Sequence, residues 1–273
     1  MSINIKISQK LKFSINEDKM KHIGNVILAL DNLKKNRNLY FLIKNRFDWM
    51  NNFIELNKSG IEVGAAAGFS KVFTKNKSIL ITDFCDDTHL DIKNLDAQKT
   101  NLKNESFDYV IASNMIHHIP YPIKFFYEMH RILKKNGKLI IFEPNCSLLF
   151  QIIAFITKHE GYDFTVNPWS LEKPIIEEKN PWAGNMAATN LIFDNKILFN
   201  KKLGDMFCIV HHKYAECLTF LNSGGVYSKT YYIPLNNFFL KLINIIDNFL
   251  CLIMPSIFAL GRQIVLKKNK DYL

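Results

Sequence analysis

Two groups of residues have the types and spacing to do chemistry. The first is the run Ile61-Glu62-Val63-Gly64-Ala65-Ala66-Ala67-Gly68. An apolar stretch ends at Val63, and the small residues Gly64, Ala66 and Gly68 follow at two-residue steps before a helical pattern begins. Small side chains in such a bend let the backbone approach a ligand closely, and a helix start favours negative charge beside it. Asp83 comes 19 residues after Gly64, at the end of the next apolar run. A carboxylate there can accept hydrogen bonds from both hydroxyls of a ribose. The second group is His117-His118, Glu143 and His159, side chains able to take a proton from a nucleophile near neutral pH. Adjacent residues point in different directions, so at most one of His117 and His118 is expected to face a substrate.

The elements that must position these groups can be read from periodicity. Met20, Ile23, Ile27 and Leu30 lie on one helical stripe, and a second helix is expected over Leu39–Leu56. From residue 60 the texture changes. Strands are expected at Ile61–Val63, Ser78–Thr82, Leu90–Leu95, Phe107–Ala112 and Lys138–Phe142, with a helix over Ile123–Lys135 closed by Asn136-Gly137. Strands alternating with helices imply crossover connections and a mainly parallel sheet. Beyond Glu143, residues 160–194 read as loop, and Phe207–Phe220 and Gln263–Leu266 as late strands. Ser147–Thr157 is apolar but short for a bilayer span. Residues 235–254 form an amphipathic helix with a polar stripe of Asn237, Lys241, Asn244 and Asn248. Both apolar segments, 147–157 and 235–260, are expected to serve mainly as core, with a peripheral membrane patch as the rival reading.

In order along the chain, these segments resemble the class I S-adenosylmethionine (SAM) methyltransferases, of the type 11-like kind. Glu62 through Gly68 matches the acidic-x-Gly-x-Gly-x-Gly motif, with Ala66 in place of the middle glycine. Leu95-Asp96-Ala97-Gln98 is similar to the third-strand motif, residues 107–119 to the fourth, and residues 131–145 to the helix, turn and fifth strand. A dinucleotide fingerprint would need its third glycine where Phe69 stands. The pieces 158–164, 181–193 and 221–226 are similar to a bacterial subgroup of the family whose substrate is not established. The resemblance implies an α/β, doubly wound Rossmann-like sheet of seven strands, mostly parallel, with an antiparallel last strand and an N-terminal helical cap. It divides the chain into a cap (1–58), a SAM-binding core (59–145) and an acceptor-pocket segment that completes the sheet (146–273). It implies SAM as cofactor, held by Glu62, Gly64, Ala65, Ala66, Gly68, Asp83, Phe84, Asp96, Ala97, Ser113 and Asn114. Among these, Asp83 would hold the ribose, Phe84 would cover the adenine face, and Asp96 with Ala97 would read the adenine edge.

The activity so implied is in-line transfer of a methyl group to a small-molecule, saccharide or lipid-linked acceptor. Positioning of this kind supplies about 7–11 kcal/mol of a barrier. His117, His118, His159 and Glu143 are then the candidate bases. No metal site is expected, since HExxH, HxxxH and an Asp-Asp-Asn grouping are missing from the sequence and Asp86-Asp87 reads as a solvated loop. The alternatives are an RNA or protein methyltransferase, an NAD-dependent oxidoreductase, or a SAM-binding module without activity.

Composition bounds the remainder. The chain has 273 residues, 48% hydrophobic and 22% charged, which suits a globular protein with a large core. The net charge of +10 is spread along the chain rather than gathered into a basic block, so no specific nucleic acid is expected. Five widely spaced cysteines without CxxC fit a reducing compartment. The first residues lack the apolar segment of a secretory signal. The expected location is cytoplasmic, with contact at the inner face of the membrane as the open question.

Overall fold

A computed structural model describes residues 5–12, 26–158, 160–178, 180, 183–226 and 230–269. Its centre is a six-stranded sheet in the order β3-β2-β4-β5-β8-β7. The strands are β2 (Gly60–Val63), β3 (Leu80–Thr82), β4 (Phe107–Ser113), β5 (Leu133–Pro144), β7 (Phe207–Ala215) and β8 (Gly261–Lys268). The pairs β2–β3, β2–β4 and β4–β5 are parallel, and β8 runs antiparallel to both β5 and β7. A separate two-residue ladder joins β1 (Lys10–Leu11) to β6 (Tyr162–Asp163).

The sheet is buried on both faces, which is why its inner strands read as continuous apolar runs. Along β4 and β5, Val110, Ala112, Leu139 and Ile141 pack on one face, against α4 (Pro122–Ile132) and α7 (Lys196–Leu203). Tyr109, Ile111, Ile140 and Phe142 pack on the other, against α1 (Val26–Lys35) and α2 (Arg37–Met50). The short helices α3 (Phe69–Phe73), α6 (Ala188–Phe193), α8 (Leu218–Leu221) and α10 (Pro255–Phe258) fill the connections.

The structure corrects several expectations. Among the described residues the sheet has six strands, not seven. The segment expected as a strand at Leu90–Leu95 makes a single parallel bridge, Thr82 with Ile92. Only nine residues separate the two, fewer than a parallel crossover requires, and the Asp91 carboxylate takes the Ile81 amide, 2.7 Å away. Asn136-Gly137 does not close α4. The helix ends at Ile132 and the chain passes directly into β5, with Asn136 at φ +61° and a register shift opposite Phe107 and Tyr109. The second N-terminal helix stops at Met50 rather than Leu56, while Met20 and Ile23 lie outside the described residues.

The largest departure concerns the two apolar segments. They hold helices α5 (Leu148–Thr157) and α9 (Asn237–Ile253), and most of the large apolar side chains of these helices lie outside the core, although Ala154, Leu240 and Cys251 are buried. In α9 the Asn244 and Asn248 part of the polar stripe faces the protein together with Asp247, while Asn237 and Lys241 stay exposed. Asp247 is buried and accepts the amides of Cys217, Leu218 and Thr219. Asn248 accepts from Lys213 Nζ at 2.7 Å. Phe238, Leu242, Ile245, Phe249 and Leu252 are therefore turned outward, Leu252 at 79% exposure. On α5, Gln151 and Ala154 are buried while Phe155 and Ile156 are exposed.

Candidate functional site

The site lies at the C-terminal ends of β2, β3 and β4. There β2 has β3 on one side and β4 on the other, the crevice where ligands of open α/β sheets bind. The bend after β2 is fixed by its own packing. Gly64 has φ +67°, and a Cβ there would stand 2.7 Å from Met115 Cβ. Gly68 has φ +66°, with Ile81 Cδ1 2.9 Å from the same construction. Ala66, at φ +43°, is the exposed tip. Two side chains hold that tip. Asp83 Oδ2 accepts the Ala66 amide at 2.9 Å, and His89 Nε2 lies 2.7 Å from the Ala66 carbonyl, to which it can only donate. His89 was not foreseen, because nothing in its sequence neighbourhood marks it.

Asp83 Oδ1 accepts the Cys85 amide at 3.1 Å. A carboxylate offers about four lone-pair sites, so each oxygen of this half-buried group keeps capacity for a ribose hydroxyl. Phe84, at 60% exposure, and the half-buried Asp96 stand on the same rim. Asp96 Oδ1 accepts the Gln98 amide at 2.8 Å, and Ala97 is buried beneath it. At the end of β4, Asn114 has φ +54° and its side-chain amide lies 3.3 Å from Ser113 Oγ. Glu62 and Ala65 are buried rather than rim residues. Ser70 Oγ donates to Glu62. Burial pushes the Glu62 carboxyl up to about 8, against the lowering effect of Ser70 and helped by the nearby charge of Asp83.

The second group assembles across β5 and the 3-10 turn Ile116–His118. Glu143, fully buried near the end of β5, accepts the amides of Met115 (2.6 Å) and Ile116 (2.8 Å) on one oxygen. Its other oxygen stands 2.7 Å from His117 Nδ1. His118 Nδ1 lies 2.9 Å from the Ala183 carbonyl. His117 Nε2 faces Glu160 Oε2 at 3.9 Å. Burial alone would lower the basicity of both imidazoles. In His117 the charges of Glu143 and Glu160 reverse the sign and raise it, whereas His118, beside His117, stays lowered. The structure thus brings together His117, His118 and Glu143 and adds Glu160, while His159 lies outside the described residues.

Residues 69–141 match the family model described as a methyltransferase domain. This segment is similar to methyltransferase domains, a family whose cofactor is SAM. The fold is similar to that of a SAM-dependent methyltransferase from Archaeoglobus fulgidus, at 16% identity over 83% of this chain and 93% of that one, TM-score 0.48. It is also similar to a SAM-dependent methyltransferase from Thermotoga maritima, at 14% identity over 92% and 99%, TM-score 0.49. No curated protein matches the sequence.

The residues present fit that cofactor. The rim offers a carboxylate with spare acceptor capacity at Asp83, a left-handed bend without bulky side chains, and an exposed aromatic ring at Phe84.

Proposed function

We propose that the chain transfers a methyl group from SAM to an acceptor carrying a lipid tail, met at a membrane surface. SAM supplies an activated methyl on a sulfonium. In this reading Asp83 takes the ribose hydroxyls, Asp96 and Ala97 border the adenine, and the bend from Gly64 to Gly68 lies along the methionine part. Ser113 and Asn114 stand between this half and the acceptor half. His117, His118 and Glu160 form the polar wall against which the acceptor nucleophile is placed and loses its proton. Glu143 is a positioning residue behind His117.

The observation that carries the lipid reading is the inverted face of α9. A helix that points Asn244, Asp247 and Asn248 inward leaves its apolar side without a protein partner among the described residues. Lying flat in a bilayer interface buries such a face. The helix has 17 residues, and no described helix is long and apolar enough to cross a membrane. Exposed Lys158 and Lys241 sit on the same helices or at their ends. The +10 net charge of the chain favours anionic lipid. Helix α5, with its outward Phe155 and Ile156, leads within three residues to Glu160, so an apolar surface adjoins the polar wall.

Two measurements test this. Calorimetry should detect S-adenosylhomocysteine binding, weakened by tenfold or more in Asp83→Ala, with no heat from NADH. SAM labelled in its methyl group, incubated with the protein and a total bacterial membrane extract, should send label into the organic phase. Absence of S-adenosylhomocysteine binding would refute methyl transfer, and label confined to water-soluble products would refute the lipid-tailed acceptor.

A further inference from the structure

We propose that His117, His118 and Glu160 form a divalent-cation site, with zinc as the metal its donors favour. One ring nitrogen of each histidine and a Glu160 carboxylate oxygen lie within 4.8 Å of one another. Two imidazoles and one carboxylate are a donor set for zinc, whereas magnesium prefers oxygen alone.

The hydrogen bonds behind the two rings carry the argument further than proximity does. His117 Nδ1 meets Glu143 Oε2 at 2.7 Å, and the other oxygen of Glu143 already accepts two backbone amides. His118 Nδ1 meets a backbone carbonyl, Ala183 O, at 2.9 Å. Both partners accept, so in each neutral ring the proton sits on Nδ1 and the lone pair on Nε2. Metal-bound histidines are oriented in this way, by a carboxylate or carbonyl holding the far N–H. One ring so held would equally suit a general base. Two neighbouring rings, both fixed with Nε2 lone pairs and with a carboxylate 3.9 Å from one of them, make a set of acceptors that a cation could join.

The geometry is close to what a cation requires. Ligand distances of about 2.0–2.2 Å in a tetrahedron set ligand atoms roughly 3.4 Å apart. The His117–Glu160 pair must close by about half an ångström and no pair by more than about 1.4 Å, with Glu160 about one-quarter exposed on the loop after α5. Gly184 leaves room for the ring pair, since a Cβ there would stand 3.2 Å from His118 Cε1. Three protein ligands leave a fourth position open, the arrangement of catalytic rather than structural zinc. An acceptor hydroxyl in that position would be oriented and acidified. That use rests on the methyl-transfer reading, whereas cation binding does not. The linear motifs searched for in the sequence miss the site because Glu160 joins the histidine pair only through tertiary structure.

The test uses the full-length protein, stripped with a chelator and titrated with Zn2+ against a chromophoric competitor. A parallel Co2+ titration is followed by visible absorption. The expected result is one Zn2+ per chain. Affinity should fall at least tenfold in both His118→Ala and Glu160→Gln, and 10- to 100-fold in Glu143→Gln. The proposal is overturned if the wild type takes up no stoichiometric metal. Equal uptake by His118→Ala and Glu160→Gln would also overturn it, because the metal would then sit elsewhere, for example on a cysteine. S-adenosylhomocysteine binding by each variant reports that its core is folded. Zn2+ uptake without that binding would overturn methyl transfer and leave the cation site standing.

Discussion

Glu62 offers the sharpest test of the site's electrostatics. Its carboxyl is buried under the Gly64–Gly68 bend and accepts from Ser70, and burial lifts it from an ordinary 4.5 to about 8. At pH 7 the native state therefore holds Glu62 as a neutral acid. A carboxyl raised in the fold contributes stability that is fully present below its unfolded pKa and is lost as pH rises through its folded one. Between pH 4.5 and 8 the unfolded chain has released a proton that the native state retains. At about 1.4 kcal/mol per pH unit, stability falls by on the order of 4 kcal/mol across this window. Glu62→Gln is nearly the same shape, keeps an acceptor for Ser70 and does not titrate. Urea unfolding of both proteins at intervals from pH 4.5 to 8.5 should give similar stabilities at the acid end. At the alkaline end the variant should be more stable by roughly 3–5 kcal/mol. Other groups titrate in both proteins, so the difference between the curves isolates Glu62. Parallel curves, or a variant less stable at every pH, would refute the reasoning.

Two further outcomes are expected. Gly64→Ala places a side chain at φ +67° and 2.7 Å from Met115 Cβ. Left-handed strain and overpacking together should lower stability by roughly 2–5 kcal/mol and weaken S-adenosylhomocysteine binding. A thermal melt within a degree of wild type would contradict this. The wild-type protein should float with phosphatidylglycerol-containing vesicles at low salt, and Phe249→Asp with Leu252→Asp should remain in the soluble fraction while melting normally, since both residues are exposed. Wild-type protein that stays wholly soluble would count against the membrane face.

The parts of the fold that were legible in the sequence are those governed by local chemistry. The strand, the small-residue bend and the helix at 60–73 announce themselves because left-handed backbone needs glycine at Gly64 and Gly68. The inner strands β4 and β5 are legible because burial on both faces leaves no room for polar alternation. The seventh strand is limited by length, since nine residues leave no room for a full crossover helix and pairing there stops at the one bridge of Thr82 with Ile92. The orientation of α9 was not legible in principle. Periodicity defines two faces of a helix and does not say which one the protein covers. What decides the matter is the set of partners awaiting Asp247 and Asn248, namely the free amides at the start of α8 and the Lys213 ammonium on β7. The histidine pair was visible as a pair, and its meaning was not. Glu143 and Ala183, which fix its tautomers, and Glu160, which faces it, come from three separate stretches of chain.

The two-residue ladder between β1 and β6 has a consequence for the order in which the molecule is made and unmade. It joins Lys10 and Leu11 to partners roughly 150 residues downstream, with Leu11 O so close to Gly161 that a Cβ there would stand 2.2 Å away. On the ribosome, β2 to β5 have emerged before Tyr162 does, so the edge beside Glu160 is closed only after the parallel strands of the central sheet can already pair. So short a ladder also adds little resistance when the folded protein breathes. The corner proposed to receive the acceptor is thus closed only after the parallel half of the sheet exists, and by few backbone bonds.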